Sequence, residues 1–314
     1  MLTEYSRLTT DQLYLLFCEN SWRNLSDAQC IAALQELENR VAAREGRPPM
    51  EVQIMPKESE RPGLNGYYVD GRNALFISRR YVANRKSVMF GVTAGEAINN
   101  VLHEGRHAYQ YEAIRGHIKG VARSTVLKWG INVTDYHSGG GFVGNAMYFA
   151  QPIEMDARHF ARRELQAISN RITKLRGSMD HGFMVALNRD KVQESAKCTM
   201  IKQHLDSEIL EKMEGQARLR YRLTHPGVDL TGVEIFPEAR WLKKKDADVE
   251  GLDMYLDELD EMTDEDEVAD EEPDAFEMLV EMLRKEKEAA SRRADKPDEG
   301  ELLSRPDGAK IKGF

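Results

Sequence analysis

The sequence predicts an α+β fold in which a small mixed sheet precedes one long central helix, with mainly helical additions and an acidic tail. Three observations carry this. Strand-like alternation is confined to residues 51–77, and apolar residues recur at three- to four-residue spacing on both sides of that stretch. From Asp246 to Asp274 the chain holds 16 acidic residues and no Lys or Arg, a composition that cannot build a core.

The elements follow in order. Thr10-Asp11 opens a short helical run through Phe17. Ser26-Asp27-Ala28-Gln29 is a capping box, in which the Ser and Gln side chains satisfy the free N–H groups of a helix start. Its helix runs to about Ala43, with Ile31, Leu34, Leu37 and Val41 on one stripe, and Gly46 with Pro48-Pro49 ends it. Glu51 to Met55 alternates as a strand does. Gly66 to Val69, Asp70-Gly71 and Ala74 to Ile77 read as a hairpin closed by a tight Asp-Gly turn. Thr93-Ala94-Gly95-Glu96 is a second capping box, opening a helix to about Ile114 with Gly116 as its C-terminal cap. Residues 117–150 are less regular, and Gly139-Gly140-Gly141 marks a flexible loop. Pro152 sits in the first turn of another helix, bearing Ile153, Ala157, Phe160, Ala161, Leu165 and Ile168 at helical spacing. Helical patterns continue through Met213. The expected organisation is an N-terminal helical segment (1–48), a central domain (49–242) and a largely disordered acidic tail (243–314), interrupted by a helix at residues 275–290.

Charge and cysteine usage bound the function. The net charge is -9, and removing the -16 of the acidic stretch leaves the remaining residues at +7. That basic balance comes with no nucleic-acid motif and no basic-aromatic interleaving, so no nucleic-acid partner is expected. No run of 18 apolar residues suggests a membrane span, and the N-terminus lacks the basic and apolar regions of a secretory signal. Cys18, Cys30 and Cys198 form no C-x-x-C pair and no disulfide framework. The expected setting is cytoplasmic, or export by a route that needs no signal. Two readings of the tail stand side by side: a solubilising segment, or one that docks on the basic body or recruits a partner.

The chemistry concentrates in Val101-Leu102-His103-Glu104-Gly105-Arg106-His107, an H-E-x-x-H motif. Residues four apart on a helix point the same way, so both imidazoles can converge on one ion while Glu104 stands beside it as a base. Two neutral imidazoles and an open position for water suit Zn2+. Two ordinary histidines on a half-buried helix are the bland alternative; Glu104 between them and the matching helix downstream argue against it.

This layout resembles the zincin metallopeptidases, in which a small sheet precedes the H-E-x-x-H helix and a later helix supplies a third ligand. The resemblance covers roughly residues 50–170. Gln151-Pro152-Ile153-Glu154-Met155-Asp156-Ala157 is similar to the third-ligand helix of the gluzincin branch, which implies Glu154 in its E-x-x-A position. The metzincin branch needs a third His six residues after the second, where this chain has Ala113. His117 is the less favoured alternative, because the helix ends before it. Asp156 competes with Glu154; the two point differently on a helix, so only one ligates and the other orients a ligating His.

The resemblance implies a zinc-dependent hydrolase, a metallopeptidase cleaving a protein or peptide, with metal ligands His103, His107 and Glu154. Glu104 would assist attack of zinc-bound water on the carbonyl. Tyr136, His137, Tyr148 and His181 are candidates for the donor that meets the oxyanion. The strand at Ala74 to Ser78 would pair with an extended substrate, as the edge strand of zincins does, and Arg106 and Tyr109 would shape specificity. Two other functions stay open: a hydrolase of non-peptide amides, and a non-catalytic interaction protein on a zincin scaffold, phage- or toxin-associated.

Overall fold

The computed structural model describes residues 3–61, 64–86, 92–237, 239 and 240. The acidic tail and the helix expected at residues 275–290 lie outside the described residues. The fold is mostly helical with one three-stranded mixed sheet, an α+β arrangement.

Three helices open the chain: α1 (Thr10–Leu16), α2 (Glu19–Asn24) and α3 (Asp27–Glu45). Thr9 caps α1 in a capping box with Gln12, one residue earlier than Thr10 suggests. Ser26 and Gln29 form the expected box at α3, and Gly46 ends it in the left-handed region at φ 71°. The strands β1 (Glu51–Ile54), β2 (Gly66–Val69) and β3 (Ala74–Ile77) pair in the order β1-β3-β2. β1 runs parallel to β3 and β2 antiparallel to it.

Two expectations about the sheet are corrected. The connection from β2 to β3 is not a two-residue Asp-Gly turn: residues Asp70–Arg72 form a 3-10 turn and Asn73 closes it at φ 46°. Asn enters the left-handed region more readily than most side chains, so the reversal falls there instead of at Gly71. Ala74–Ile77 is also the central strand, hydrogen-bonded on both sides, with all four residues buried. It has no free edge for a substrate; β1 and β2 are the outer strands.

One face of the sheet places Val52, Leu75 and Ile77 in the main core, together with Leu13 of α1 and Leu34 and Leu37 of α3. The helices before residue 48 thus share a core with the sheet. On the other face Phe76 stacks on Tyr67, its cross-strand partner, at 4.9 Å between ring centroids. After α4 (Arg80–Ala83) comes α5 (Ala94–Ile114), the H-E-x-x-H helix, which Thr93 and Glu96 cap as expected. Gly116 follows it at φ 80°.

The region that reads as irregular holds two helices, α6 (Arg123–Thr134) and α7 (Gly141–Ala150). Then come α8 (Pro152–Arg176), α9 (His181–His204) and α10 (Ser207–Thr224). Leu165 and Ile168 of α8 and Phe183 of α9 join Ile98 and Leu102 of α5 in the main core. A second core gathers Ile131 of α6, Ala146 of α7, Ile201 of α9, Leu210 and Met213 of α10, and Phe236. No helix of the described residues is long and apolar enough to cross a membrane.

Candidate metal centre

His103, Glu104 and His107 lie on α5, and Glu154 lies in the first turn of α8, which packs along it. The start of α8 is pinned by buried polar contacts. Gln151, fully buried, accepts from Asn132 Nδ2 at 2.8 Å and from the His137 backbone N–H at 2.8 Å. Asn132 Oδ1 in turn accepts from the Ile153 N–H, one of the free donors of the new helix, at 3.3 Å. A carboxylate in this turn also sits at the positive end of the helix dipole.

The ligand atoms of His103, His107 and Glu154 lie within 4.8 Å of one another, and the cluster could hold a metal ion. The spacings are 3.2 Å between the two Nε2 atoms, 3.4 Å from His103 Nε2 to Glu154 Oε2 and 3.5 Å from His107 Nε2 to Glu154 Oε1. A tetrahedral ion with bonds of about 2.0–2.1 Å sets its ligand atoms about 3.3–3.4 Å apart. The donor set and its spacing therefore fit such an ion.

The tautomer of His107 follows from its neighbour. Gln110 Nε2 donates to the Ile153 carbonyl at 2.9 Å and to Asp156 Oδ2 at 2.7 Å. Its oxygen is thereby turned to His107 Nδ1, 2.9 Å away, and accepts that N–H, leaving the lone pair on Nε2 for a metal. Asp156 accepts from Arg106 at 2.8 and 3.3 Å, and Arg106 donates to Glu45 at 3.0 Å. So the carboxylate brought to the imidazoles is Glu154, while Asp156 reaches His107 only through Gln110. Arg106 is occupied by these ion pairs and lies over the Tyr109 ring at 4.1 Å, an internal role for both residues.

Two tyrosines hold Glu154 from above: Tyr136 donates to Oε1 at 2.7 Å and Tyr148 to Oε2 at 2.8 Å. Burial opposes the charge on Glu154, but His107, His103 and the Tyr136 hydroxyl outweigh it and hold the carboxyl well below its usual range. Burial pushes the Glu104 carboxyl up, Glu154 adds to the rise, and His103, His107 and the Tyr68 backbone oppose it. Burial lowers His107, yet Glu154 and Glu104 together raise it above its ordinary value. Glu104 is thus a buried carboxyl biased toward holding a proton, next to a carboxylate biased against one.

His117 is exposed and bonds Glu112 at 2.7 Å, away from the cluster. His181 bonds Glu19 at 2.9 Å on the outer surface, so it is not brought to the site; His137 touches Gln151 through its backbone. Of the four oxyanion candidates, only Tyr136 and Tyr148 reach Glu154. Sequence reading missed Gln110, Asn132 and Arg158 at the site. Gln110, one helical turn beyond His107, carried a usable signal in its spacing.

A cavity of about 620 Å³ opens on the cluster. His103, Glu104 and Glu154 line it together with Gly66 of β2, Tyr148 of α7 and Arg158 of α8. No family model, curated protein or solved structure matches the chain.

Proposed function

We propose that this protein is a zinc-dependent hydrolase of the zincin type, with glutamate as third ligand, that cleaves a peptide bond in a protein or peptide. One observation carries the reading: two imidazole nitrogens and one carboxylate meet at tetrahedral spacing beside a buried Glu104, and His103, Glu104 and Glu154 line one cavity. The order of parts supports it as well, with a small sheet before the H-E-x-x-H helix and a later helix giving Glu154.

Zinc, when bound, supplies a Lewis acid and lowers the pKa of a coordinated water to near 7. The residues supply the rest. His103, His107 and Glu154 would hold the ion, with Gln110 fixing the His107 tautomer. Glu104 takes the proton of the attacking water and returns it to the leaving amine; its burial, which raises the carboxyl, suits it to hold that proton between the two steps. β2 is an outer strand and its Gly66 lines the cavity, so an extended substrate has a backbone to lie against there.

The test is elemental mass spectrometry with peptide turnover. Near one zinc per chain is expected, lost in Glu154→Ala and retained in Asp156→Ala. Glu104→Gln keeps the zinc and loses turnover. Absence of zinc after incubation with the ion would overturn the reading in favour of a non-catalytic interaction protein. Full turnover by Glu104→Gln would remove Glu104 from its role.

A further inference from the structure

Beyond the metal cluster, the same cavity has a basic wall. Arg158 follows Glu154 by four residues on α8, so both face the same side of the helix. Both line the cavity, as does Lys197 of α9. Arg158 is 8% exposed. Its Nε bonds Glu194 at 3.1 Å and its Nη2 donates to the Phe149 carbonyl at 2.8 Å. Its Nη1 is buried and finds no hydrogen-bond partner among the described residues.

The local charges do not balance. Arg158, Arg162 and Lys197 all approach one oxygen of Glu194, at 3.1, 3.7 and 3.9 Å. Asp190 accepts from Arg162 at 2.6 Å. Among the described residues around Glu194, three cations therefore meet two carboxylates, and of the three Arg158 is the most buried. Glu154 lies on the other side, with His103 and His107, where its charge would face a metal ion. A buried guanidinium donor left unmet loses the water that would solvate it and gains nothing in return, so a ligand oxygen placed there is favoured.

We infer that Arg158 and Lys197 form a carboxylate-binding subsite that selects substrates with a negative charge within about two residues of the scissile bond. The inference rests on the hydrolase reading above. The distance follows from the helix: four residues advance about 6 Å along the axis. An extended peptide covers that span in about two residues of ~3.3–3.6 Å each. The planar guanidinium suits a carboxylate, and Lys197 adds charge without fixed geometry. Burial and the neighbouring Arg158 hold Lys197 below its usual pKa, a cost that an incoming carboxylate relieves. The carboxylate has two possible sources, a free peptide C-terminus or an acidic side chain.

The test is binding to zinc-loaded protein by calorimetry, with three probes that share a malonyl hydroxamate head. One ends in alanine with a free carboxylate, one in alanine amide and one in aspartyl amide. At least one charged probe should bind ~10-fold or more tightly than the alanine amide, the worth of one charge-assisted hydrogen-bonded pair. Which charged probe wins identifies the source. Arg158→Gln should remove the advantage and leave the alanine amide affinity and zinc content unchanged; Arg158→Lys should restore part of it. Lys197→Gln, a milder change, should reduce it several-fold and serves if Arg158→Gln fails to fold. Equal affinity for all three probes, or an advantage that survives both neutral substitutions, would overturn the subsite while leaving the metal reading intact. Absence of zinc and of any hydroxamate binding would overturn the metal reading and this inference with it.

Discussion

The Nδ1 atom of His107 lies 2.9 Å from Gln110 Oε1, and both protons of the Gln110 amide are already committed, to Ile153 and Asp156. The chain of contacts continues from Asp156 to Arg106 and Glu45, so the ring orientation of one imidazole depends on an ion-pair network behind α5. Loss of such an outer partner weakens metal binding by about 10- to 100-fold. Gln110→Ala should therefore lower zinc affinity by that order while leaving one zinc per chain at saturating metal. Titration against a competing chelator measures it; unchanged affinity would mean that Gln110 does not set the tautomer.

Gly105, inside the motif, has a structural reason to be glycine. A Cβ there would come 2.9 Å from Arg47 Nη2 and 3.1 Å from Glu38 Oε2. Those two side chains are 0% and 1% exposed and pair at 2.6 Å, with no room to retreat. Gly105→Ala, an improvement in helix propensity on an open surface, should instead destabilise the protein by about 1–3 kcal/mol through overpacking. Thermal melting of wild type and variant decides it; a raised melting temperature would show that the pair yields.

The capping boxes at Ser26 and Thr93 and the cap glycines at positions 46 and 116 are local signals, so three of the four ends they mark were legible to within a residue and the last to within one more. The pairing of His103 and His107 was legible because residues four apart on a helix face one way, while Glu154 was suggested by the resemblance of residues 151–157 to a third-ligand helix; the structure brings these three side chains together. The strand order was not: β3 lies between β1 and β2, which depends on pairing across distant residues. Nor were Arg47 and Glu38, nine residues apart in sequence and joined only by the turn after α3. The helices α6 and α7 escaped notice because neither begins with a side-chain cap.

Acid sensitivity should be traceable to Glu194. Burial raises its carboxyl, but Arg158, Lys197 and Arg162 outweigh this and lower it from its ordinary 4.5. A carboxyl depressed on folding adds stability that is fully present above the unfolded pKa and is lost as pH falls through the folded one. Glu194→Gln, which leaves buried cations facing a neutral amide, should cost on the order of 3 kcal/mol at pH 7. The gap between wild type and variant should narrow as pH falls below 4.5, because wild type then loses the same charge. Urea unfolding of both proteins at pH 7 and at two acid values reads the gap directly. A gap that is constant with pH would assign the cost to packing.

Tyr136 and Tyr148 divide their work by position. Both donate to Glu154, but Tyr148 also lines the cavity, whereas Tyr136 is 48% exposed and outside its lining. If one oxygen of Glu154 were taken by a metal ion, one hydroxyl would still hold the other oxygen and one would be available to the substrate. Burial, with Glu154 beside it, pushes the Tyr148 hydroxyl far above its usual pKa, so it stays protonated and can donate to a developing oxyanion. Tyr148→Phe should then lower kcat by about 10²–10³ at unchanged zinc content, the effect of one lost oxyanion donor. Tyr136→Phe should change zinc affinity and leave kcat at saturating zinc within a few-fold. The reverse pattern would place the oxyanion donor at Tyr136 and make Tyr148 the residue that steadies Glu154.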